Sequence, residues 1–125
     1  MRKYKAKKIT VVAIQIPEDS KGLEYEKWGS IQFAKPGDWL VNKLGETYSI
    51  DAESFANTMK PLDRVGHYYK FSEIWGEVAV DSGVVETKEG TSQYVEGDYL
   101  VSNNEDFTDK YCISKEKFEK LYEVD

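Results

Sequence analysis

The chain contains only one cysteine and one histidine among its 125 residues. Because Cys112 stands alone, no disulfide can form within the chain, which argues against a small secreted scaffold held by disulfides. Cys112 and His67 together cannot supply the four nitrogen and sulfur ligands of a structural zinc site. We therefore expect a protein of a reducing compartment that has no metal ion and no other cofactor.

Long apolar runs are also missing. No stretch approaches the roughly 20 apolar residues that a membrane-spanning helix needs, and residues 1–5 lack the apolar core of a signal peptide. Glycine-rich phosphate loops of the Walker or Rossmann type are absent, which disfavours the common nucleotide-hydrolysing enzymes. These absences predict a cytoplasmic protein with no membrane partner.

Positive charge is scarce in the second half of the chain. The formal net charge is −6, and it divides into +1 for residues 1–63 and −7 for residues 64–125. Net negative charge makes nucleic acid an unlikely partner, since nucleic-acid binding requires cations that displace counterions from phosphates. An acidic face can instead bind a basic protein surface, or it can serve solubility alone. Asp81, Glu86 and Glu89 are the candidate contacts on this acidic half.

Internal repetition is the strongest pattern that the sequence does contain. The matching segments are 37–41 with 97–101 and 48–55 with 111–118. We interpret the chain as a single domain, 1–125, built of two repeats, 1–63 and 64–125. About 60 residues bury little surface on their own, so we expect the repeats to share a core about a pseudo-twofold axis.

Apolar and β-branched runs in both repeats predict a β-rich α+β fold. The predicted strands are 9–16, 30–34, 39–41 and 48–50 in the first repeat and 74–80, 91–95, 99–101 and 111–113 in the second. Strand 9–16 is apolar on both faces, which is typical of a central strand. Asp51 and Ser114 are predicted N-caps of short helices at 52–59 and 115–122 that cover the sheet.

Turn residues separate the predicted strands. Pro36, Gly37 and Asp38, and later Gly97 and Asp98, have the composition of tight turns. We therefore expect each turn to close a hairpin between the strands on either side of it. Each unit is then strand, hairpin, strand and short helix, and roughly eight to ten strands in total could close partly into a barrel.

The segment Lys35-Pro36-Gly37-Asp38-Trp39-Leu40-Val41 resembles the PGDYG-type family of small bacterial and phage proteins. A typical unit of that family pairs an opening Tyr-Arg/Lys strand with Pro-Gly-Asp-Trp/Tyr and a closing Phe-x-x-Thr-Tyr-Glu segment. The segment 118–123 follows this close, whereas Met59 replaces an aromatic in the first repeat and no proline precedes Gly97. The resemblance implies a related fold and a bacterial or phage origin, and it implies no catalytic residue.

Aromatic residues make up 14% of the chain, which is more than a small core needs. Those that recur in both repeats are predicted to form the core. Those without a match are candidate recognition residues, because tyrosine and tryptophan are enriched at binding surfaces. The unmatched residues are Tyr25, Trp28, Tyr68, Tyr69 and Trp75.

Two sets of residues could carry chemistry. Asp38 and Asp98 could form an acid/base pair, although an aspartate at this place commonly accepts N–H groups of its own turn. A Cys112–His67 nucleophile pair is conceivable, but Cys112 falls where the first repeat has Ser49, which fits a packing position better.

We predict a non-enzymatic binding or accessory protein, monomer or homodimer, whose partner is a protein. One such protein would be a phage inhibitor directed against a host defence protein. One alternative is a binding protein for a small nucleotide-like molecule in the cleft between the repeats. Another alternative is a small hydrolase that uses Asp38 or Asp98.

Overall fold

Short antiparallel strands make up most of the protein. The computed structural model describes residues 1–125. The strands are β1 (Arg2–Ala6), β2 (Val11–Gln15), β3 (Leu23–Lys27), β4 (Ser30–Ala34), β5 (Trp39–Lys43), β6 (Glu46–Ile50), β7 (Met59–Pro61), β8 (His67–Lys70), β9 (Glu73–Val78), β10 (Gly83–Glu86), β11 (Thr91–Tyr94), β12 (Tyr99–Ser102), β13 (Lys110–Ile113) and β14 (Tyr122–Val124). The helices are α1 (Ala52–Thr58) and α2 (Lys115–Leu121). Neither seven-residue helix has the length and apolar character needed to cross a membrane.

The strands form two five-stranded sheets and two separate hairpins. Sheet 1 has the order β6-β5-β2-β8-β7, and sheet 2 has the order β13-β12-β9-β1-β14. The hairpins are β3–β4 and β10–β11. The predicted β-rich α+β class is confirmed. The expected partial barrel is wrong, because none of the four sheets closes on itself.

Each five-stranded sheet contains one strand from the other part of the chain. β1 lies between β9 and β14, where Tyr4 is opposite Ile74 and Val124. β8 lies between β2 and β7, where Tyr68 is opposite both Val11 and Pro61. The two sheets therefore exchange strands. A division of the chain between residues 63 and 64 would leave each sheet without one of its five strands.

The two predicted hairpins across the Gly-Asp turns are wrong. β4 pairs with β3 and β11 pairs with β10, whereas β5 and β12 join the five-stranded sheets. At the first turn Asp38 N donates to Lys35 O at 3.0 Å, and Gly37 has φ 91° after Pro36, the pattern of a type II turn. Hairpins favour type I′ or II′ turns, whose twist matches that of paired strands. A type II turn instead directs the chain into another sheet.

Two-residue turns close two of the hairpins that do form, β3–β4 and β5–β6. Trp28 and Gly29 have φ 55° and 80° between β3 and β4, and Leu44 and Gly45 have φ 52° and 82° between β5 and β6. Positive φ at both central residues is what a type I′ turn requires. These turns place Trp28 and the end of β5 at the inner side of the molecule, next to the site described below.

Each five-stranded sheet packs its helix through three aromatic rings. The two triads are Trp39, Phe55 and Tyr68 on sheet 1, and Tyr99, Phe118 and Tyr4 on sheet 2. The helix phenylalanine stacks on the β5 or β12 ring at centroid distances of 4.0 and 3.7 Å. Tyr68, a candidate recognition residue in the sequence, is thus a packing residue of sheet 1.

The predicted helix starts are confirmed. The Asp51 side chain accepts a hydrogen bond from Ser54 N, and the Ser114 side chain accepts one from Lys117 N, each at 3.4 Å. Such caps satisfy N–H groups that the first helical turn leaves free. β2 is central in its sheet as expected, but only one face is covered, since Ile14 is 63% exposed.

Candidate functional site

The two hairpins meet and join the two halves of the molecule. Phe33 N donates to Glu89 O at 2.8 Å, and Gln93 N donates to Trp28 O at 3.1 Å. The fully buried Gln32 donates through Nε2 to Thr91 O at 2.6 Å. These bonds close one side of the space between sheet 1 and sheet 2.

A cavity of about 300 Å³ lies in that space. Ligand pockets commonly occupy about 300–1,000 Å³, so the volume suits a small metabolite. Both sheets and both hairpins contribute to its walls. Its lining includes Trp28, Lys43, Tyr48, Lys70, Glu89 and Tyr122.

Lys43 is the most unusual residue of the cavity. It is the last residue of β5 and lies two and four residues after Val41 and Trp39. Residues at this spacing share one face of a strand, so the Lys43 side chain points inwards with theirs. Lys43 is only 7% exposed, and its ammonium has no hydrogen bond or ion pair. Lysine is almost never buried unless it is paired. Burial lowers the pKa of Lys43 to about 8.

The carboxylate opposite Lys43 is already occupied. Glu46 faces Lys43 in the β5–β6 register, but its oxygens bind Lys27 at 3.4 Å, Trp28 Nε1 at 3.2 Å and the ammonium of Lys117. Burial acts to raise the pKa of Glu46, but Lys117 and Lys27 outweigh it, and the pKa is lowered. Glu46 therefore remains charged and is committed to other cations.

Lys70 is a second buried lysine in the same cavity, and it is fully hydrogen-bonded. Its ammonium donates to Asn103 Oδ1 at 2.7 Å, to Tyr122 Oη at 3.0 Å and to Tyr111 Oη at 3.1 Å. Three acceptors match the three protons of an ammonium group. Burial and the charge of Lys43 both lower the pKa of Lys70. The two lysine nitrogens lie 5.8 and 5.2 Å from the centroid of the Tyr122 ring.

A continuous set of polar contacts extends from Lys70 along the cavity wall. Asn103 donates to Asp109 at 3.1 Å, and Asp109 accepts from Ser54 Oγ at 2.6 Å. Lys88 then donates to Ser54 Oγ at 3.2 Å and lies 3.6 Å from Asp51. This network holds residues from both halves of the chain in fixed positions.

Glu89 adds an acidic group to the cavity. Its Oε2 is buried and has no hydrogen-bond partner. Burial, together with the charges of Asp51 and Asp109, raises the pKa of Glu89 to about 7. The carboxyl group therefore changes its charge near neutral pH.

Two aromatic rings, those of Trp28 and Tyr48, also line the cavity. Trp28 and Tyr48 lie 5.7 Å apart between centroids, tilted by 58°. Trp28 has φ 55° because it is the first central residue of the type I′ turn between β3 and β4. Tyr25 supports this wall from behind, because its hydroxyl lies 2.6 Å from Ser49 Oγ.

The structure distributes the predicted binding residues over several places. Trp28 and Glu89 line the cavity. Tyr69 lies under Lys8, whose nitrogen is 4.9 Å from the ring centroid, and Trp75 lies on β9 opposite Lys3 and Ser102. Neither aromatic reaches the cavity.

The acidic residues predicted as one contact surface are separated. Asp81 and Glu86 are exposed, whereas the Glu89 carboxyl group is turned inwards. Glu86 borders an open depression of about 430 Å³ beside β10. The charged residues there, Glu77, Glu86 and Lys110, are all exposed, so that depression lacks the buried cation that distinguishes the smaller cavity.

The carboxylates of the two turns have structural partners. Asp38 Oδ2 accepts from Lys35 N at 2.9 Å, and its Oδ1 accepts from Ala52 N at 3.3 Å. Asp98 Oδ2 accepts from Val95 N at 3.0 Å. Both aspartates thus hold the N–H groups of their own turns, which is the structural alternative described from the sequence.

Cys112 and His67 are not brought together. Cys112 lines the cavity and its thiol contacts Gln93 O at 3.7 Å, whereas the His67 ring contacts Val65 O at 3.1 Å. Burial raises the pKa of Cys112 to about 11. A thiol with a raised pKa is a poor nucleophile at neutral pH.

Sequence reasoning missed Lys43, Lys70 and Tyr122. A signal for the two lysines was present, because Lys43 has the strand parity of Val41, and Lys70 has that of Tyr68. A lysine at an inward position of a strand is a sign of a buried charge. No local sequence pattern indicates that both lysines contact Tyr122, because this contact depends on the exchange of strands between the sheets.

No family model, curated protein or solved structure matches this chain.

Proposed function

We propose that the protein binds a small anionic molecule in the cavity between sheet 1 and sheet 2. The observation that carries this proposal is Lys43, a 7% exposed lysine on the wall of a cavity of about 300 Å³, whose ammonium contacts the Tyr122 ring but has no hydrogen bond or ion pair. Burying an uncompensated charge costs several kcal/mol. An anionic ligand would supply the missing counterion and recover much of that cost on binding.

The other walls indicate the shape of the ligand. The rings of Trp28 and Tyr48 offer apolar faces to a planar group, and the hydroxyl groups of Tyr111 and Tyr122 offer hydrogen bonds. A small planar anion of nucleotide size suits this combination. We therefore favour small-molecule binding over the protein-directed inhibitor, which remains a prediction from sequence.

Calorimetric titration tests the proposal directly. The probes are a set of nucleoside monophosphates and pyridoxine 5′-phosphate, a planar phosphate without a carbonyl group. We expect at least one of them to bind, and Lys43→Met to weaken that binding about 10-fold to 100-fold, because a hydrogen bond to a charged group contributes about 1.5–3 kcal/mol. Lys120→Met, at a side chain that is 62% exposed on α2, is the matched control and should bind normally.

Two results would contradict the proposal. The first is that none of the probes binds the wild-type protein. The second is that Lys43→Met and wild type bind the same probe equally well, which would place the anion elsewhere. Because Lys43→Met is expected to fold at least as well as wild type, a loss of binding would not reflect unfolding.

We further propose that the two halves are internal repeats related by a pseudo-twofold axis, in a cytoplasmic protein of bacterial or phage origin. The equal strand orders of the two sheets and the paired aromatic triads support the repeat. In the sheet registers Tyr4 corresponds to Tyr68, since they face Ile74 and Val11 at equivalent positions. The resemblance to the PGDYG-type family rests on its motifs alone.

A further inference from the structure

We infer that Lys43 captures its ligand covalently and reversibly, as an imine with an aldehyde or ketone group of a small anion. This inference rests on the proposed binding function and adds the reactive group of the ligand. It assigns the nucleophile to one nitrogen atom, Nζ of Lys43, at the end of β5.

The position of Lys43 is the first argument. Its side chain is 7% exposed, lines the cavity and has neither a carboxylate nor a hydrogen-bond acceptor as a partner. A lysine that is desolvated, or that lies next to another cationic group, is activated as a nucleophile. Lys43 meets the first condition, because burial alone lowers its pKa.

The fraction of reactive amine is the second argument. With a pKa of about 8, about one Lys43 side chain in ten is neutral at pH 7. An ordinary lysine with a pKa near 10.4 is neutral in only about one molecule in 2,500 at that pH. Lys43 therefore offers more free amine at pH 7 than an exposed lysine.

Lys70 is the less suitable nucleophile. All three protons of its ammonium are used by Asn103, Tyr111 and Tyr122. Its attack on a carbonyl would require these bonds to break, whereas attack by Lys43 breaks none. Lys70 instead keeps the hydroxyl groups of the two tyrosines in place on the cavity wall.

The reaction balances without an oxidant or a further reactant. The lone pair of neutral Lys43 Nζ attacks the carbonyl carbon, and a C–N bond forms while a proton passes from nitrogen to the former carbonyl oxygen. The C–O bond of this carbinolamine then breaks, the second nitrogen proton leaves with the oxygen as water, and a C=N bond remains. Water reverses the sequence and releases the ligand.

The test uses the full-length protein with pyridoxal 5′-phosphate, a planar anion with an aldehyde, followed by reduction with borohydride and peptide mapping. We expect the reduced adduct to concentrate at Lys43 at pH 7, at least tenfold above any other lysine. Excess pyridoxine 5′-phosphate should suppress this adduct, because it has the same ring and phosphate but cannot form an imine. Labelling spread evenly over surface lysines would overturn the inference.

Two variants separate anion binding from imine formation. Lys43→Arg keeps a cation without a nucleophilic amine, so we expect it to bind pyridoxine 5′-phosphate but to give no adduct in the peptide that contains position 43. Lys43→Met should lose both. If wild type binds pyridoxine 5′-phosphate and gives no adduct with the aldehyde, the imine fails while the proposed binding function stands. If wild type binds neither compound, the imine fails, and the proposed binding function fails with it when no nucleoside monophosphate binds either.

The pH dependence of labelling provides a check on the wild-type protein that needs no variant. The initial rate at Lys43 should rise about tenfold per pH unit up to about pH 8 and then level off, as the pKa of this lysine requires. The rates at exposed lysines should continue to rise towards pH 10. A rate at Lys43 that follows the exposed lysines would overturn the inference.

Discussion

At the scale of single residues, the buried charge of Lys43 favours ligand binding at the expense of stability. The folded-state pKa of about 8 lies below the ordinary value of 10.5, so the folded protein resists protonation of this group. The penalty is complete below about pH 8, and it disappears as the pH rises towards 10.5, where the unfolded chain also loses the proton.

We therefore expect Lys43→Met to raise the free energy of unfolding at pH 7 by about 3 kcal/mol, given a pKa lowered from 10.5 to about 8 and about 1.4 kcal/mol per pKa unit. The gain should shrink between about pH 8 and pH 10. Urea unfolding followed by circular dichroism measures both effects. The control Lys120→Met should change stability by less than about 0.5 kcal/mol, because its side chain is exposed. Destabilisation by Lys43→Met would show that the ammonium has a favourable partner.

Glu89 gives a second residue-scale prediction, with the opposite dependence on pH. Its pKa is raised from 4.5 to about 7, so the folded state holds a proton that the unfolded chain has already lost. The stability that this proton provides is complete below about pH 4.5 and is lost as the pH rises through about 7. Glu89→Gln should therefore match wild type near pH 5 and exceed its stability at pH 8.

Urea midpoints of both proteins at about pH 5, 6, 7 and 8 measure this difference. Glu86→Gln is the matched control, because Glu86 is exposed on the same hairpin, and its difference from wild type should not vary over that range. An equal pH dependence of wild type and Glu89→Gln would contradict the raised pKa.

At the scale of elements, the contact between hairpins β3–β4 and β10–β11 depends on a glycine. Gly90 has φ 153° and forms a bridge with Gln32, and a Cβ atom at position 90 would lie 2.7 Å from the backbone oxygen of Ile31. We expect Gly90→Ala to separate the hairpins, to expose the amides of Phe33 and Gln93 to hydrogen exchange and to weaken ligand binding.

Gly45→Ala is the control for backbone strain. Gly45 has φ 82°, but no atom lies within 4 Å of the place where its Cβ would stand. This variant should cost about 1 kcal/mol through strain alone and leave the exchange of Phe33 and Gln93 unchanged. Equal effects of the two variants on stability and exchange would show that the hairpin contact tolerates a side chain.

The elements also show how far the sequence predicts this structure. Local signals were sufficient for the helices, whose caps Asp51 and Ser114 stand where expected, and for most strands of the repeats. Six strands were missed, namely β1, β3, β7, β8, β10 and β14. Of these, β3 and β10 lie in polar, glycine-bearing connections. The predicted pairing of the strands on either side of Pro36-Gly37 was wrong. Composition identifies a turn there, but the type of the turn decides whether the two flanking strands pair with each other. Of the site, Trp28 and Glu89 were named, but the lysines that define it were not.

At the scale of the whole molecule, the exchange of β1 and β8 makes the two halves depend on each other. Sheet 2 needs β1 from the start of the chain, and sheet 1 needs β8, which follows residue 63. Tyr68 on β8 completes the aromatic triad with Trp39 and Phe55. The cavity forms only when both sheets are complete, because Lys43 and Lys70 belong to sheet 1 while Tyr111 and Tyr122 belong to sheet 2.

Two fragments of equal length test this dependence. Fragment 10–72 contains every strand of sheet 1, whereas fragment 1–63 contains β1, whose neighbours are absent, and lacks β8. We expect 10–72 to show dispersed amide resonances and cooperative unfolding, even if it is marginally stable as a domain of about 60 residues. Fragment 1–63 should be largely unfolded, because β2 and β7 lose the strand between them and Phe55 loses one of its two ring contacts.

Mixing fragment 1–63 with fragment 64–125 should restore the structure, since each then supplies the strand that the other lacks. Mixing should also restore the binding of pyridoxine 5′-phosphate, provided that the full-length protein binds it, because Lys43 and Lys70 come from different fragments. A control mixture in which 64–125 carries Tyr68→Ala should reassemble more weakly, as expected when a large packed ring is truncated. Cooperative folding of 1–63 by itself would show that the exchanged strand is dispensable, and the interdependence of the two halves would then have to be abandoned.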